Sequence, residues 1–124
     1  MDRRARLAYS LPLQGHAISE VEGAGRFGLL FDDPDQSRFE MYSAFTLDSA
    51  GHIETYEPPC ADWVGDVLRS LIGVAIHEAR FSSHGDLALT FADGRSLRIE
   101  GFDGDWRYSN RRGVRLSGDS GTVA

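Results

Sequence analysis

"LQGHAISEV" (Leu13 to Val21) returns 58 positions later as "LIGVAIHEA" (Leu71 to Ala79) in a chain of 124 residues. The two stretches share L-x-G-x-x-I-x-E followed by a small apolar residue. The likeness continues downstream. "FGLLF" (Phe27 to Phe31) matches "LALTF" (Leu87 to Phe91), and "SRFEM" (Ser37 to Met41) matches "SLRI" (Ser96 to Ile99). In the last pair Phe39 and Met41 correspond to Leu97 and Ile99. Apolar residues recur at alternate positions, the mark of half-buried strands, because successive side chains leave a pleated strand on opposite faces. Each copy therefore predicts a three-stranded antiparallel meander, repeat 1 over about 11–47 and repeat 2 over about 71–117.

The turn residues agree. Asp93-Gly94 separates two strand patterns and predicts a type I′ turn, in which both central residues have positive φ. His84-Gly85 and Gly23-Ala24-Gly25 occupy matching places before the second strand of each copy. Val74 and Ile76 share one parity while Ala79 and Phe81 fall on the other, which calls for a bulge or a strand covered on both faces.

Between the copies the period changes. Trp63, Val64, Val67, Leu68 and Leu71 follow helical spacing, with Pro58 and Pro59 before them, Asp62 near the start and Gly73 at the end. A helix over about 60–72 is expected, with Trp63 in the core. "DWRYSN" (Asp105 to Asn110) and "GVRL" (Gly113 to Leu116) continue the strand theme. The fold class is thus α+β and strand-dominated. Two antiparallel three-stranded meander repeats, forming a sandwich or an open barrel, are linked by one α-helix in a single domain over 1–124, with a frayed tail at 118–124.

The totals narrow the function. The apolar fraction of 41% and charged fraction of 26% are those of a soluble globular chain, and no apolar run is long enough for a membrane span. The basic start meets Pro12 and Gln14 before any run of signal-peptide length, and Cys60 is the one cysteine. Both features fit a cytoplasmic protein. All thirteen basic residues are arginine, the net charge is −6, and Glu20 to Asp66 holds eleven acids against Arg26 and Arg38. Arg3, Arg4 and Arg6 at one end and Arg107, Arg111, Arg112 and Arg115 at the other are basic. A net negative field repels phosphate backbones, so a basic protein is the expected partner and nucleic acid is not.

Reactive constellations are absent. In "DDPDQS" (Asp32 to Ser37) the residues Asp33, Asp35 and Ser37 have the spacing of a calcium loop. Position 6 is Arg38 instead of glycine, however, and position 12 is Ala44 instead of glutamate. Asp103 to Asp105 fails in the same way at Arg107. His16, His52, His77 and His84 have no zinc-like spacing. No G-x-S-x-G elbow or phosphate-binding glycine loop occurs; Cys60, before the helix, would have a mildly favoured thiolate but no base beside it. No catalytic residue, metal or cofactor is assigned.

Two features remain as partner-binding candidates. One is the acidic middle: Asp32, Asp33 and Asp35 at one turn, with Glu54, Glu57, Asp62 and Asp66 around the helix entrance. The other is Trp106, Arg107 and Tyr108, residue types enriched at binding hot spots, although alternation also lets the two aromatics pack on one sheet face.

"LIGVAIHEARFSSHGDLALTFADGRSLRIEGFDGDWRYSN" (Leu71 to Asn110) and "FDDPDQSRFEMYSAFTL" (Phe31 to Leu47) resemble a family of small uncharacterised strand-rich bacterial domains, common in actinobacteria. Its members carry L-x-G-x-x-V and L-x-L-x-F-x-D-G-x-x-L-x-I before an acidic, Trp-containing segment. The patterns are also similar to those of some immunity proteins that neutralise bacterial toxins. The resemblance implies a cytoplasmic bacterial binder and supplies no catalytic residues.

The leading expectation is a non-enzymatic protein-binding module, of immunity type, whose acidic face engages a basic partner. The alternative is a small-ligand-binding barrel or sandwich with a pocket lined by Phe27, Phe31, Phe91 and Trp106. Pairing of two copies through an exposed edge strand into a homodimer is a further expectation.

Overall fold

The computed structural model describes residues 7, 9–23, 25–82, 85–100 and 106–117. Arg3, Arg4 and Arg6, Ala24, His84, Asp103 to Asp105 and the tail at 118–124 lie outside the described residues. The elements in chain order are β1 (Tyr9–Ser10), β2 (Ile18–Glu22), β3 (Gly28–Phe31), β4 (Arg38–Met41), β5 (Phe45–Ser49) and β6 (His52–Tyr56). Then come α1 (Asp62–Arg69), β7 (Ile76–Phe81), β8 (Leu87–Phe91), β9 (Ser96–Ile99), β10 (Trp106–Ser109) and β11 (Arg115–Ser117).

The strands form two antiparallel sheets that do not close into a barrel. One runs β1-β7-β8-β9-β5-β6 and the other β11-β10-β4-β3-β2. The three consecutive strands expected from each quoted stretch are neighbours, β2-β3-β4 in one sheet and β7-β8-β9 in the other. The chain then changes sheets after each set: β5 pairs with β9, and β10 pairs with β4. Strand β5, placed within repeat 1 by its sequence, thus belongs to the other sheet.

The parity conflict at Ile76 to Phe81 is resolved by a bulge. The β7–β8 register shifts between Ile76 and Glu78, and the β2–β3 register shifts at the corresponding place, between Ile18 and Glu20. Just before these bulges the quoted stretches bond to each other. Gly15 donates its amide to the Ile76 carbonyl at 2.8 Å, and Gly73 donates to the Ile18 carbonyl at 3.0 Å.

Turn chemistry differs from expectation in one respect. Gly94 has φ of 93°, but Asp93 is not in the left-handed region. The Phe91 carbonyl accepts the Gly94 amide at 3.0 Å, and the Phe91 amide reaches Arg95 at 2.8 Å. The connection is therefore a three-residue loop, a turn closed by a left-handed glycine. The two-residue type I′ turn sits instead at Ala50 and Gly51, whose φ values are 54° and 87°. It joins β5 to β6.

One hydrophobic cluster draws on both sheets and the helix, including Leu13, Ile18, Leu29, Phe39, Phe45, Leu68, Ile76, Leu89, Leu97 and Trp106. Trp106 stacks near Phe39 of its own sheet at 5.6 Å and meets Phe81 of the other edge-on at 5.6 Å. Its indole N–H is satisfied by the Gly85 carbonyl at 2.9 Å. Phe27, Phe31 and Phe91 are also buried in this cluster. The four aromatics expected to line a pocket pack into this core, and Phe27 also borders a surface hollow beside the helix.

Helix α1 buries Val64, Gly65 and Leu68. Gly65 lets the helix approach Phe27, whose ring would lie 3.3 Å from an added Cβ. No side chain caps the helix N-terminus at Ala61, but Asp62 occupies its first turn, where a negative charge suits the helix dipole. The expectation of a core Trp63 is corrected, since its side chain is 56% exposed. Successive helical residues are about 100° apart, so a face centred on Val64 and Leu68 leaves Trp63 on the flank. Among the described residues, no helix is long and apolar enough to cross a membrane.

Candidate functional site

The exposed Trp63 stands at the end of a row of aromatic rings leading out of the core. Phe45 is buried; Tyr56 lies 5.4 Å from it, and Trp63 meets Tyr56 edge-on at 5.7 Å. The β5–β6 hairpin fixes this row, because Phe45 is the cross-strand partner of Tyr56. Trp63 comes from the first turn of α1.

Trp63 lines two hollows. The first, about 310 Å³, lies between β6 and α1 and is lined by Leu47, Ser49, His52, Glu54, Tyr56, Trp63, Val67, Ser70, Leu71 and Arg95. The second, about 530 Å³, is lined by Gly23, Phe27, Asp62, Trp63, Asp66 and Arg69. Both are open to solvent.

The alternation of β6 sends His52, Glu54 and Tyr56 to the side facing the helix. His52 Nε2 lies 2.8 Å from Glu54 Oε1, and the Tyr56 hydroxyl donates to Glu54 Oε2 at 2.8 Å. Hydrogen bonds from His52 and then Tyr56 hold the Glu54 carboxyl below its ordinary range. Burial, followed by the hydrogen bond to Glu54 and its negative charge, pushes the Tyr56 phenol up to about 12. Each carboxylate oxygen retains acceptor capacity, so Glu54 can still receive a cation.

Arg95 closes the far end of the first hollow. Its guanidinium donates to Ser70 Oγ at 2.9 Å and to the Ser70 carbonyl at 3.1 Å, at the C-terminus of α1, and to Asp93 Oδ2 at 2.8 Å from Nε. Hydrogen bonds from the Arg95 side chain and then from its backbone amide hold the Asp93 carboxyl below its ordinary range. Ser70 in turn donates its hydroxyl to the Val67 carbonyl at 2.5 Å. This hydroxyl is thereby committed to the last turn of the helix.

The structure thus gathers Glu54, Asp62 and Asp66 around Trp63, and Glu57 is exposed on the segment between β6 and the helix. Asp66 is 81% exposed and pairs with Arg69 at 3.0 Å. The other acids lie elsewhere and line neither hollow. Asp32 accepts the Ala17 amide at 2.9 Å, and Asp35 meets Arg112 at 3.1 Å.

Asp33, Trp106 and Tyr108 are buried, which corrects their placement on a partner-facing surface. Asp33 accepts the Ser37 amide at 2.8 Å and the Ser37 hydroxyl at 2.6 Å, while Ser37 Oγ lies 2.7 Å from the Tyr108 hydroxyl. This network joins the β3–β4 turn to β10. Arg107 is exposed, with its guanidinium 5.6 Å from the centre of the Tyr42 ring. Burial pushes the Cys60 thiol up, which corrects the expectation of a favoured thiolate.

A hollow of about 510 Å³ beside β7, β8 and β9 mixes Glu78, Asp86 and Glu100 with Arg80 and Arg98, and so has no single sign. Among the described residues no group of three or more His, Cys, Asp or Glu is placed to hold a metal.

Sequence reasoning passed over Arg95, Tyr56 and the exposure of Trp63. The only signal available for Trp63 was its position one residue ahead of the Val64-Leu68 stripe. No curated protein and no solved structure matches the chain. The model of DUF6188, a family of unknown function, matches residues 9–118, and the chain belongs to that family.

Proposed function

We propose that this protein is a non-enzymatic binding module that takes a basic segment of a partner protein at Trp63. One observation carries the reading: a tryptophan more than half exposed walls two hollows whose acids are Glu54 on one side and Asp62 and Asp66 on the other. An exposed aromatic rimmed by polar groups is the anatomy of a protein contact. Its ring face also attracts guanidinium and ammonium groups. The acids give long-range attraction and salt sensitivity. A basic toxin, as the resemblance to immunity proteins implies, is a partner of this kind.

The test uses Trp63 as its own probe. Titration with an oligo-arginine peptide is expected to change the emission of the exposed tryptophan, with an effect that weakens as salt rises; an acidic peptide of equal length should leave it unchanged. Trp63→Ala and the double variant Glu54→Gln, Asp66→Asn should each reduce binding. Unchanged emission, or equal binding by Trp63→Ala, refutes the reading.

We infer further that the two halves of the chain are copies of one unit and that their sheets face each other as a sandwich. The bulges at Ile18/Glu20 and Ile76/Glu78 stand 58 positions apart, like the quoted stretches. The strand orders β11-β10-β4-β3-β2 and β6-β5-β9-β8-β7 also correspond if β2 to β6 are matched with β7 to β11.

A further inference from the structure

Among the described residues, strand β6 is the end of its sheet and pairs with β5 alone. Its sequence, HIETY, has every residue from His52 to Thr55 exposed. Which of its backbone groups are spare follows from the turn. A two-residue type I′ hairpin closes on a hydrogen-bonded pair, here Ser49 and His52, and such pairs alternate along an antiparallel ladder. His52, Glu54 and Tyr56 therefore bond toward β5, while Ile53 and Thr55 direct their N–H and C=O groups outward.

We propose that the partner segment binds as an extended strand added to the free edge of β6, with basic side chains at alternate positions. This rests on the proposed function and specifies how the same site recognises its ligand. Main-chain bonds to Ile53 and Thr55 supply register, and alternate side chains supply specificity. Those on the helix side of the added strand stand beside Glu54 and Trp63, where a guanidinium meets a carboxylate and a ring face. Those on the other side stand beside Ile53, 62% exposed, and Thr55, a surface suited to β-branched residues.

Charge selects the occupant. Antiparallel self-pairing that uses both outward residues sets Ile53 opposite Thr55 of the second copy and Glu54 opposite Glu54. Like charges directly opposite are destabilising, and each copy carries a net charge of −6. A basic strand has neither penalty.

The experiment is a set of titrations with a heptapeptide alternating arginine and threonine, and with two versions N-methylated at alternate backbone amides, either all arginines or all threonines. One methylated version should lose binding by at least about ten-fold while the other binds as the parent does, because only one set of amides faces β6. Equal binding by both overturns strand addition but leaves a basic-ligand site standing. Failure of the unmodified peptide sinks both. Thr55→Pro removes an outward amide and the exposed hydroxyl contact with Thr46 at 3.1 Å while sparing the backbone bonds to β5, so it should abolish binding while the melting transition stays cooperative. A folded Thr55→Pro variant that binds normally overturns the proposal. So does a peptide-independent dimer in sedimentation that the same substitution dissolves.

Discussion

Ala17 and Ala75 face each other in an antiparallel bridge, although they occupy the same place in the two quoted stretches. The contact lies between the bulged strands of different sheets. The Ala17 carbonyl accepts the Asp32 amide at 2.9 Å, and the Ala75 carbonyl accepts the Ala92 amide at 2.8 Å. Each alanine thus ties the start of its strand to the turn that follows the next one. Ala17 is 7% exposed; Ala17→Leu should therefore overpack the junction and cost about 1–3 kcal/mol. Urea unfolding should show a lower midpoint with an unchanged m-value.

The buried Asp33-Ser37-Tyr108 network gives graded losses. Tyr108→Phe leaves Ser37 bonded to Asp33 and should cost about 1 kcal/mol. Asp33→Ala leaves the buried Ser37 amide without its acceptor and the Ser37 hydroxyl with Tyr108 alone, and should cost about 2–3 kcal/mol. If the order of the two is reversed in urea unfolding, the assigned bonds are wrong.

The two tryptophans should behave oppositely. Trp106, at 0% exposure, fills the core, whereas Trp63 is 56% exposed. Trp106→Ala should cost about 3–5 kcal/mol; Trp63→Ala should cost far less. Iodide should quench the emission that Trp63→Phe removes and spare the remainder.

Tyr56 should titrate late. Its phenol ionises at about 12 in the folded protein against about 10 in an unfolded chain. The neutral phenol favours the folded state, so its contribution is complete below pH 10 and is lost as pH rises toward 12. Glu54→Gln removes the carboxylate charge and should bring the Tyr56 value down, though not fully, because burial remains. Resonances of labelled tyrosine Cζ atoms followed through alkaline pH provide the measurement.

The meanders were legible because one face of β3, β4, β8 and β9 is buried, which writes a period of two into the sequence. The change of sheet after β4 and β9 was not, because periodicity records which face is buried and never which strand lies alongside. Strand β6 escaped notice for a related reason. With His52, Ile53, Glu54 and Thr55 all exposed, it carries no alternation, and its turn places an alanine where glycine or asparagine is the usual signal. Of the candidate site, Glu54, Asp62 and Asp66 were legible as acids near the helix entrance. Asp33 looked the same in the sequence, yet its two hydrogen bonds to Ser37 depend on a loop conformation that spacing does not encode. Trp63 shares i, i+4 spacing with Val67 and Leu71, but Leu71 is buried beyond the end of α1, and within the helix the fully buried stripe runs through Val64 and Leu68.

The exchange of β5 and β10 between the sheets bears on how the chain acquires its structure. A fragment ending before α1 would hold three strands of one sheet and lack β10 and β11, while its β5 and β6 would have no β9 to join. The complementary fragment has the mirror deficiency. Neither piece can satisfy its own strand borders, so separately expressed halves should remain unfolded until mixed, and the intact protein should melt as one unit.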